Sequence, residues 1–380
     1  MISYYRVGDL FFSMDGKGKY YEACADYFSD SARTPGPEDK CLLNIHILDQ
    51  KDRLKIDEKF YAVSTSIAFN ADTYRINAGQ YIYAVKNLFN ASAPTEVWVK
   101  PKKGSRAERI CSVVPFRFLM GHHSKYIGFA KRITTYSCLW YIFAITLMKV
   151  DSVFLHSGMI GKGERGIILT GTGGCGKTST MAELTSKHGW RYVAEDFGIL
   201  SRDGRIQLMQ KKMSIHGSDV KWGNERLCKA VKSMNTMSRL EWKLKKLVGI
   251  NPRHRFKPSE VFGNDIQESA PVTTIAFLSR SRDVPKLEMR RIDNAEVTER
   301  ITNASFRELK ELYDILTNIK AVGGSEYTKG YPKMSELEEK YSAVLSEAVT
   351  HATTVHLTLP LNVNPKDTAA AILRAEEKNV

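Results

Sequence analysis

Acidic residues are the scarce class here: 42 Asp and Glu stand against 56 Lys and Arg in 380 residues, a formal net charge of +14. So basic a balance calls for an anionic partner, and the phosphates of a nucleotide do not by themselves require so much basic surface. Something acidic is therefore expected as a second substrate. Cysteine is sparse too. Cys24, Cys41, Cys111, Cys138, Cys175 and Cys228 lie far apart, without a Cys-x-x-Cys or a Cys/His spacing of metal type, so neither a disulfide framework nor a zinc site is expected. Long apolar runs are missing. The most apolar stretch, Cys138 to Met148 around Trp140-Tyr141-Ile142-Phe143, is closed by Lys149 and Asp151; it is too short to span a bilayer and reads as a buried helix, so no membrane partner is expected. Met1-Ile2-Ser3-Tyr4-Tyr5-Arg6 shows no basic stretch followed by an apolar one, which predicts no secretory signal and a cytoplasmic location. Internal repeats and low-complexity tracts are absent. With 43% hydrophobic and 26% charged residues the chain reads as an ordinary globular protein, long enough for two or three domains.

What the chain does have is Gly171 to Thr178, G-T-G-G-C-G-K-T, after the apolar run Gly166-Ile167-Ile168-Leu169-Thr170 and before Ser179-Thr180-Met181-Ala182-Glu183-Leu184, which can continue as a helix. A strand, a glycine-rich loop and a helix in that order form a P-loop, the Walker A arrangement. A polyphosphate is wrapped by backbone N–H groups at an open helix N-terminus, and side chains would block that approach. Gly171, Gly173, Gly174 and Gly176 allow the close turn; Thr172, Cys175 and Ser179 complete the cradle with their backbone. Lys177 can reach the β- and γ-phosphates, and Thr178 brings the hydroxyl expected on Mg²⁺. The bare pattern arises by chance on the order of once in a hundred chains this long, and its strand and helix flanks lower that further.

Residues 1–129 offer short alternating segments (Phe60 to Ser64, Tyr81 to Val85, Glu96 to Lys100) separated by turn-rich pieces such as Thr34-Pro35-Gly36-Pro37, and are read as a mainly β region that chooses the acceptor. Residues 130–380 are read as a nucleotide-binding catalytic domain. It opens with a helix from Ala130 to Val150, a strand over Val153 to Gly158 and the P-loop strand. Gly189 ends the P-loop helix, Arg191 to Ala194 is a strand, and Phe197 to Leu200 pairs with Arg205 to Met209 through Asp203-Gly204. Strands at Pro271 to Leu278, Lys286 to Ile292 and Thr354 to Leu359 alternate with helices at Ala295 to Lys320, Ser335 to Val349 and Asp367 to Glu377, with a loop at Tyr327 to Pro332.

A P-loop is only an address for phosphate; the reaction class comes from what faces it. Glu195 and Asp196 stand at the end of a predicted strand, and adjacent residues there project differently, so one carboxylate can hold Mg²⁺ while the other faces an incoming hydroxyl. His156, after Val153-Phe154-Leu155, is either a packed structural histidine or a third member of the site. Three basic clusters, Lys211-Lys212, Lys229 to Lys246 and Arg253-His254-Arg255-Phe256-Lys257, read first as solvated faces, next as phosphate or acidic-substrate sites, and last as nucleic-acid contacts, because no RNA- or DNA-reading motif accompanies them. Lys211, Ser214 and His216 are candidates to line the cleft, and Arg253, Arg255 and Lys257 to clamp phosphate oxygens.

Leu155-His156-Ser157-Gly158, Ile167 through Ser179, and Gly189-Trp190-Arg191-Tyr192-Val193-Ala194-Glu195-Asp196 together resemble the catalytic domain of the bacterial HPr kinase/phosphorylase family and its kinase-like relatives, and more distantly the phosphoenolpyruvate carboxykinases. The similarity covers residues 150 to 290 and a closing strand at His356-Leu357. It implies an α/β fold with the P-loop in a mixed sheet, ATP or GTP with Mg²⁺, and γ-phosphoryl transfer to a hydroxyl. It further implies His156 as a catalytic or metal-proximal residue, Glu195 and Asp196 as the family's paired aspartates with Thr178 on the metal, and self-association to be tested. Two departures matter. Glu195 is one methylene longer than the family's first aspartate, which leaves open which carboxylate binds metal. Residues 1–129 do not resemble the family's N-terminal domain, nor is its substrate signature found after Met213-Ser214-Ile215-His216, so HPr is not the expected acceptor; relatives that phosphorylate a serine of lasso peptides make a peptide or protein serine the expected one, with a small molecule as a further option. The alternative reading is a P-loop NTPase or nucleotide-sensing module acting on a partner or on nucleic acid.

Overall fold

The computed structural model describes residues 1–54, 60–78, 80–102, 129–130, 133, 139–324 and 328–377. Parts of the expected helix from Ala130 and of the expected loop at Tyr327 lie outside them. The chain divides into two compact units, Met1–Val150 with Glu308–Glu339, and Asp151–Arg307 with Lys340–Val380. The division at 129/130 read from the sequence placed a single break; the chain instead leaves the second unit and returns to it.

In the first unit eight strands, in the order Ile2–Val7, Leu10–Gly16, Leu43–Ile47, Thr95–Pro101, Tyr81–Lys86, Thr73–Ala78, Ile67–Phe69 and Tyr61–Ala62, form one sheet. Leu10–Gly16, Leu43–Ile47 and Thr95–Pro101 run parallel and the other neighbours antiparallel. Burial alternates along Leu43–Ile47 and Thr95–Pro101, the period-two signature of a sheet with one face on a core. All nine residues of the helix Leu139–Leu147 are buried, and Phe143 meets Phe12 edge-on at 5.2 Å between ring centroids. The apolar run is thus a buried helix that ends in a 3-10 turn at Met148–Val150.

The opposite residues of the same strands are Asn44, His46, Glu96, Trp98 and Lys100. His46 bonds Asp15 through Nδ1 and Glu96 through Nε2, each at 2.8 Å, with the Trp98 ring stacked on it at 5.2 Å. Burial works to lower the His46 pKa, but Glu96 and Asp15 outweigh it and raise it above its ordinary value. A raised folded-state pKa contributes stability that is complete below the unfolded pKa of about 6.5 and is lost as pH rises through the folded value. His46→Gln should therefore lower the melting temperature more at pH 5.5 than at pH 9; equal losses at both would show that the imidazolium contributes nothing.

The second unit is built on a mixed sheet. Its strand order is Arg191–Ala194, Ser157–Gly161, Gly166–Gly171, Ser269–Ser281, Arg205–Gln207, Gly198–Ser201 and Ser152–Leu155. Thr353–Pro360 adds in parallel to Ser269–Ser281, and Glu288–Arg291 pairs antiparallel with Thr353–Pro360. Ser269–Ser281 is the axis: its first residues pair antiparallel with Arg205–Gln207, and from Val272 onward it runs parallel to Gly166–Gly171. The six residues of Gly166–Gly171 are all buried, as suits a parallel strand covered on both faces. The helices Lys177–Lys187 and Pro365–Glu377 pack on each other, and Leu169, Met181, Leu184, Tyr192, Ala276, Leu357 and Ile372 join one core.

Several expectations change. Val153 to Gly158 is not one strand: it breaks at His156 into Ser152–Leu155, paired with Gly198–Ser201, and Ser157–Gly161, paired with Gly166–Gly171 and Arg191–Ala194. Ala295 to Lys320 is two helices, Asn294–Glu308 and Lys310–Val322, separated at Leu309. Helices over Gly18–Tyr27, Glu225–Ser233 and Thr236–Leu247 were not anticipated, since in the last two the basic residues drew the reading to charge. Among the described residues no helix is long and apolar enough to cross a membrane.

Candidate functional site

Gly166–Gly171 ends at a glycine for a steric reason. Gly171 has φ 136°, and a Cβ there would lie 2.0 Å from the Leu278 carbonyl oxygen, because the neighbouring parallel strand passes directly alongside. After residues 172–176 the helix Lys177–Lys187 begins, with Gly176 at its N-cap in the left-handed region (φ 100°) and no side-chain cap hydrogen bond. The first-turn N–H groups of a helix lack partners within it, so a glycine cap leaves their approach unobstructed.

Lys177 is buried, its ammonium donating to the carbonyls of Gly171 at 2.9 Å and Thr172 at 3.3 Å. Cys175 faces inward and joins the apolar core, whereas Thr172, Gly173 and Gly174 are exposed at the crest of the loop. The Thr178 hydroxyl donates to Glu195 Oε1 at 2.7 Å. Ser179, next along the helix, turns away and donates to Asp219 Oδ1 at 3.2 Å.

Glu195 and Asp196 follow directly on the strand Arg191–Ala194. Glu195 bridges to Phe197 across a one-residue turn, and Asp196, the residue between, has φ 69°. A non-glycine residue in the left-handed region costs on the order of 1 kcal/mol; here it separates the two carboxylates. Burial, with Asp196 second, pushes the Glu195 pKa up. Burial would do the same to Asp196, but Lys211, His156, Arg253 and Lys177 hold its carboxyl below the ordinary value. At neutral pH the pair is thus asymmetric, with Asp196 the more firmly ionised member.

His156 sits at the break between the two strands. Its backbone carbonyl accepts from the Thr170 hydroxyl at 3.3 Å, and its ring meets Phe197 edge-on at 5.0 Å. Burial, then Lys177 and Lys211 against the opposing pull of Asp196, lower its pKa to about 4, so the imidazole is neutral at neutral pH. His156 Nδ1 and Glu195 Oε2 are buried without a hydrogen-bond partner. Buried polar atoms are usually paired, and an unpaired one costs about 1–3 kcal/mol; two in one site mark where a ligand's own groups would bond.

Of the weaker candidates, Lys211 is buried with its ammonium over the Phe197 ring, 5.6 Å from its centroid. Arg253 donates to Ser214 Oγ at 2.6 Å across the paired strands Met213–His216 and Arg253–Phe256. The charges of Lys211 and Arg253 both act on Asp196. Lys257 serves locally, its backbone N–H donating to Glu260 at the start of Pro258–Phe262. Asp219 was missed. Its Oδ2 accepts from the His216 backbone N–H at 2.8 Å, and burial raises its pKa, with Asp196 adding to the rise. It lies in a turn after a short strand, where no periodicity singles it out; only the fold brings it to Ser179.

Mg²⁺ is compatible with this donor set. Among the described residues no group of three or more His, Cys, Asp or Glu could hold a metal ion, yet Mg²⁺ in phosphoryl transfer is held by one or two side chains plus substrate phosphates. The Thr178 hydroxyl with the unpaired Glu195 Oε2 offers that minimum. In comparison with known proteins, no family model and no curated protein matches the chain.

Proposed function

We propose that the second unit is a P-loop kinase of the HPr kinase type, transferring the γ-phosphoryl of ATP or GTP to a hydroxyl, with a serine of a peptide or protein as acceptor. One observation carries the reading: Thr178, at the start of the helix after the glycine-rich loop, bonds Glu195 at 2.7 Å, while the adjacent Asp196 is turned by its left-handed backbone among Lys211, Arg253 and His156. A hydrolytic switch needs a single carboxylate for its metal; a second one, ionised and separately oriented, suits a hydroxyl acceptor.

The roles follow from the chemistry. Loop amides and Lys177 bind the phosphates, and Thr178 with Glu195 would hold Mg²⁺, which when bound screens charge on the phosphate oxygens. Asp196 takes the proton as the acceptor oxygen bonds to the γ-phosphorus, the bond from that phosphorus to the bridging oxygen breaks, and nucleoside diphosphate leaves. Lys211 and Arg253 offset negative charge developing on the transferred group. His156, neutral, contributes a hydrogen bond rather than a charge.

The test incubates the protein with γ-³²P ATP or GTP, Mg²⁺ and a host-cell extract, then separates peptide, protein and metabolite fractions. Label is expected in one acceptor pool with the wild type and in none with Lys177→Ala. Release of inorganic phosphate without a labelled acceptor would overturn the kinase reading in favour of an NTPase.

A further inference from the structure

The helix Thr236–Leu247 is built inside out. Its buried positions are Ser238, Glu241 and Trp242, and Glu241 is ion-paired with the half-buried Lys245 one turn on. Its outward positions are apolar: Met237 is 50% exposed, Leu240 48%, Leu244 38% and Leu247 82%. The spacing of 3, 4 and 3 residues puts these four side chains in one stripe along the helix, and the exposed Val248 and Ile250 extend it past the C-terminus. Single exposed leucines need no explanation, but a continuous stripe at helical spacing marks a surface that something covers.

The same helix identifies what covers it. Arg239, Lys243 and Lys246 are exposed, and the same periodicity sets them in a row beside the apolar stripe, on the side away from the buried face. The preceding helix Glu225–Ser233 adds exposed Lys229 and Lys232, while the one acidic residue of Thr236–Leu247 is the inward Glu241. An apolar stripe with a basic row along one edge is complementary to a helix carrying leucine-like residues at the same spacing and a row of carboxylates beside them. Two copies of this chain pairing antiparallel through the stripe would set the basic row against itself. A bilayer is served by basic residues on both flanks of an apolar face; here the other flank is the body of the unit.

We propose that the face formed by Met237, Leu240, Leu244 and Leu247, with Arg239, Lys243 and Lys246, docks an acidic amphipathic helical segment of a partner protein. The docking itself is independent of the kinase reading. If that reading holds, the segment belongs to the phosphoryl acceptor, because the helix packs on the strand Arg253–Phe256, which pairs with Met213–His216, whose His216 N–H bonds the Asp219 that accepts from Ser179 beside Thr178.

The experiment uses the full chain without nucleotide, so its outcome is separate from that of the phosphoryl-transfer assay. A fluorescein-labelled designed peptide of about four helical turns, with leucine at the matching spacing and glutamate elsewhere, is titrated and followed by anisotropy beside a scrambled peptide and one with lysine for glutamate. The acidic amphipathic peptide is expected to bind, and the other two not. Leu240→Ser with Leu244→Ser should weaken binding at least about tenfold, Lys243→Glu should weaken it and flatten its salt dependence, and neither should shift thermal melting, since the residues are exposed. The proposal is overturned if the designed peptide does not bind, or binds the double variant as well as the wild type. It is also overturned if the double variant instead abolishes flotation with phosphatidylcholine/phosphatidylglycerol vesicles or dissociates a wild-type dimer in sedimentation velocity.

Discussion

Asp196→Asn is expected, on the proposed kinase reading, to lower the rate of phosphoryl transfer by about 10²–10⁴-fold, the range spanned by loss of a positioned general base, while nucleotide affinity changes little. The substitution keeps the shape of the side chain and, because asparagine is among the residues that tolerate the left-handed region, keeps the φ of 69°. It removes the charge that Lys211, Arg253 and Lys177 hold in place. Glu195→Gln separates the two roles: with Thr178 donating to Oε1, its loss should raise the Mg²⁺ concentration needed for half-maximal rate more than it lowers the rate at saturating Mg²⁺. Single-turnover rates across a Mg²⁺ series read both effects. If Asp196→Asn shifted the Mg²⁺ requirement and Glu195→Gln did not, the two assignments would be exchanged.

Gly171→Ala is expected to be the most damaging single-methyl substitution in the glycine-rich loop. The added Cβ would lie 2.0 Å from the Leu278 carbonyl oxygen and 3.0 Å from its carbon, and φ is 136°. A clash with backbone cannot be relieved by a rotamer change, so two hydrogen-bonded parallel strands must part at the point where the loop is launched. A loss above about 3 kcal/mol follows from strain and broken pairing together, and on the proposed reading nucleotide binding is lost with it. Gly173→Ala is the control, since nothing lies within 4 Å of a Cβ at that position. Urea melts of the two variants decide the matter: equal stabilities would mean that the strand pair yields easily.

The strand, loop and helix around Lys177 were legible because their constraints are local: an unbroken apolar run, glycines where the backbone must turn, a helix after them. Long-range placement was not. Nothing in Val153 to Gly158 announces that His156 divides two strands with different partners. Lys211 and Arg253 were candidates by charge alone, and their influence on Asp196 depends on the pairing of Met213–His216 with Arg253–Phe256. The helix Thr236–Leu247 is hidden in the sequence because Arg239, Lys243, Lys245 and Lys246 read as part of a charge cluster, and an amphipathic pattern does not say which face turns inward.

The interleaving of the two units along the chain has a consequence for synthesis. The first 150 residues leave the ribosome well before Glu308–Glu339, which belongs to the same unit, and Ser269–Ser281 emerges before its parallel neighbour Thr353–Pro360. Each unit must therefore hold unfinished apolar surface until nearly the whole polypeptide has been made, a delay that favours aggregation of nascent chains. Neither unit can be cut out as one contiguous genetic fragment, and a stop codon anywhere before the last sheet strand leaves the second unit without an element of its central sheet.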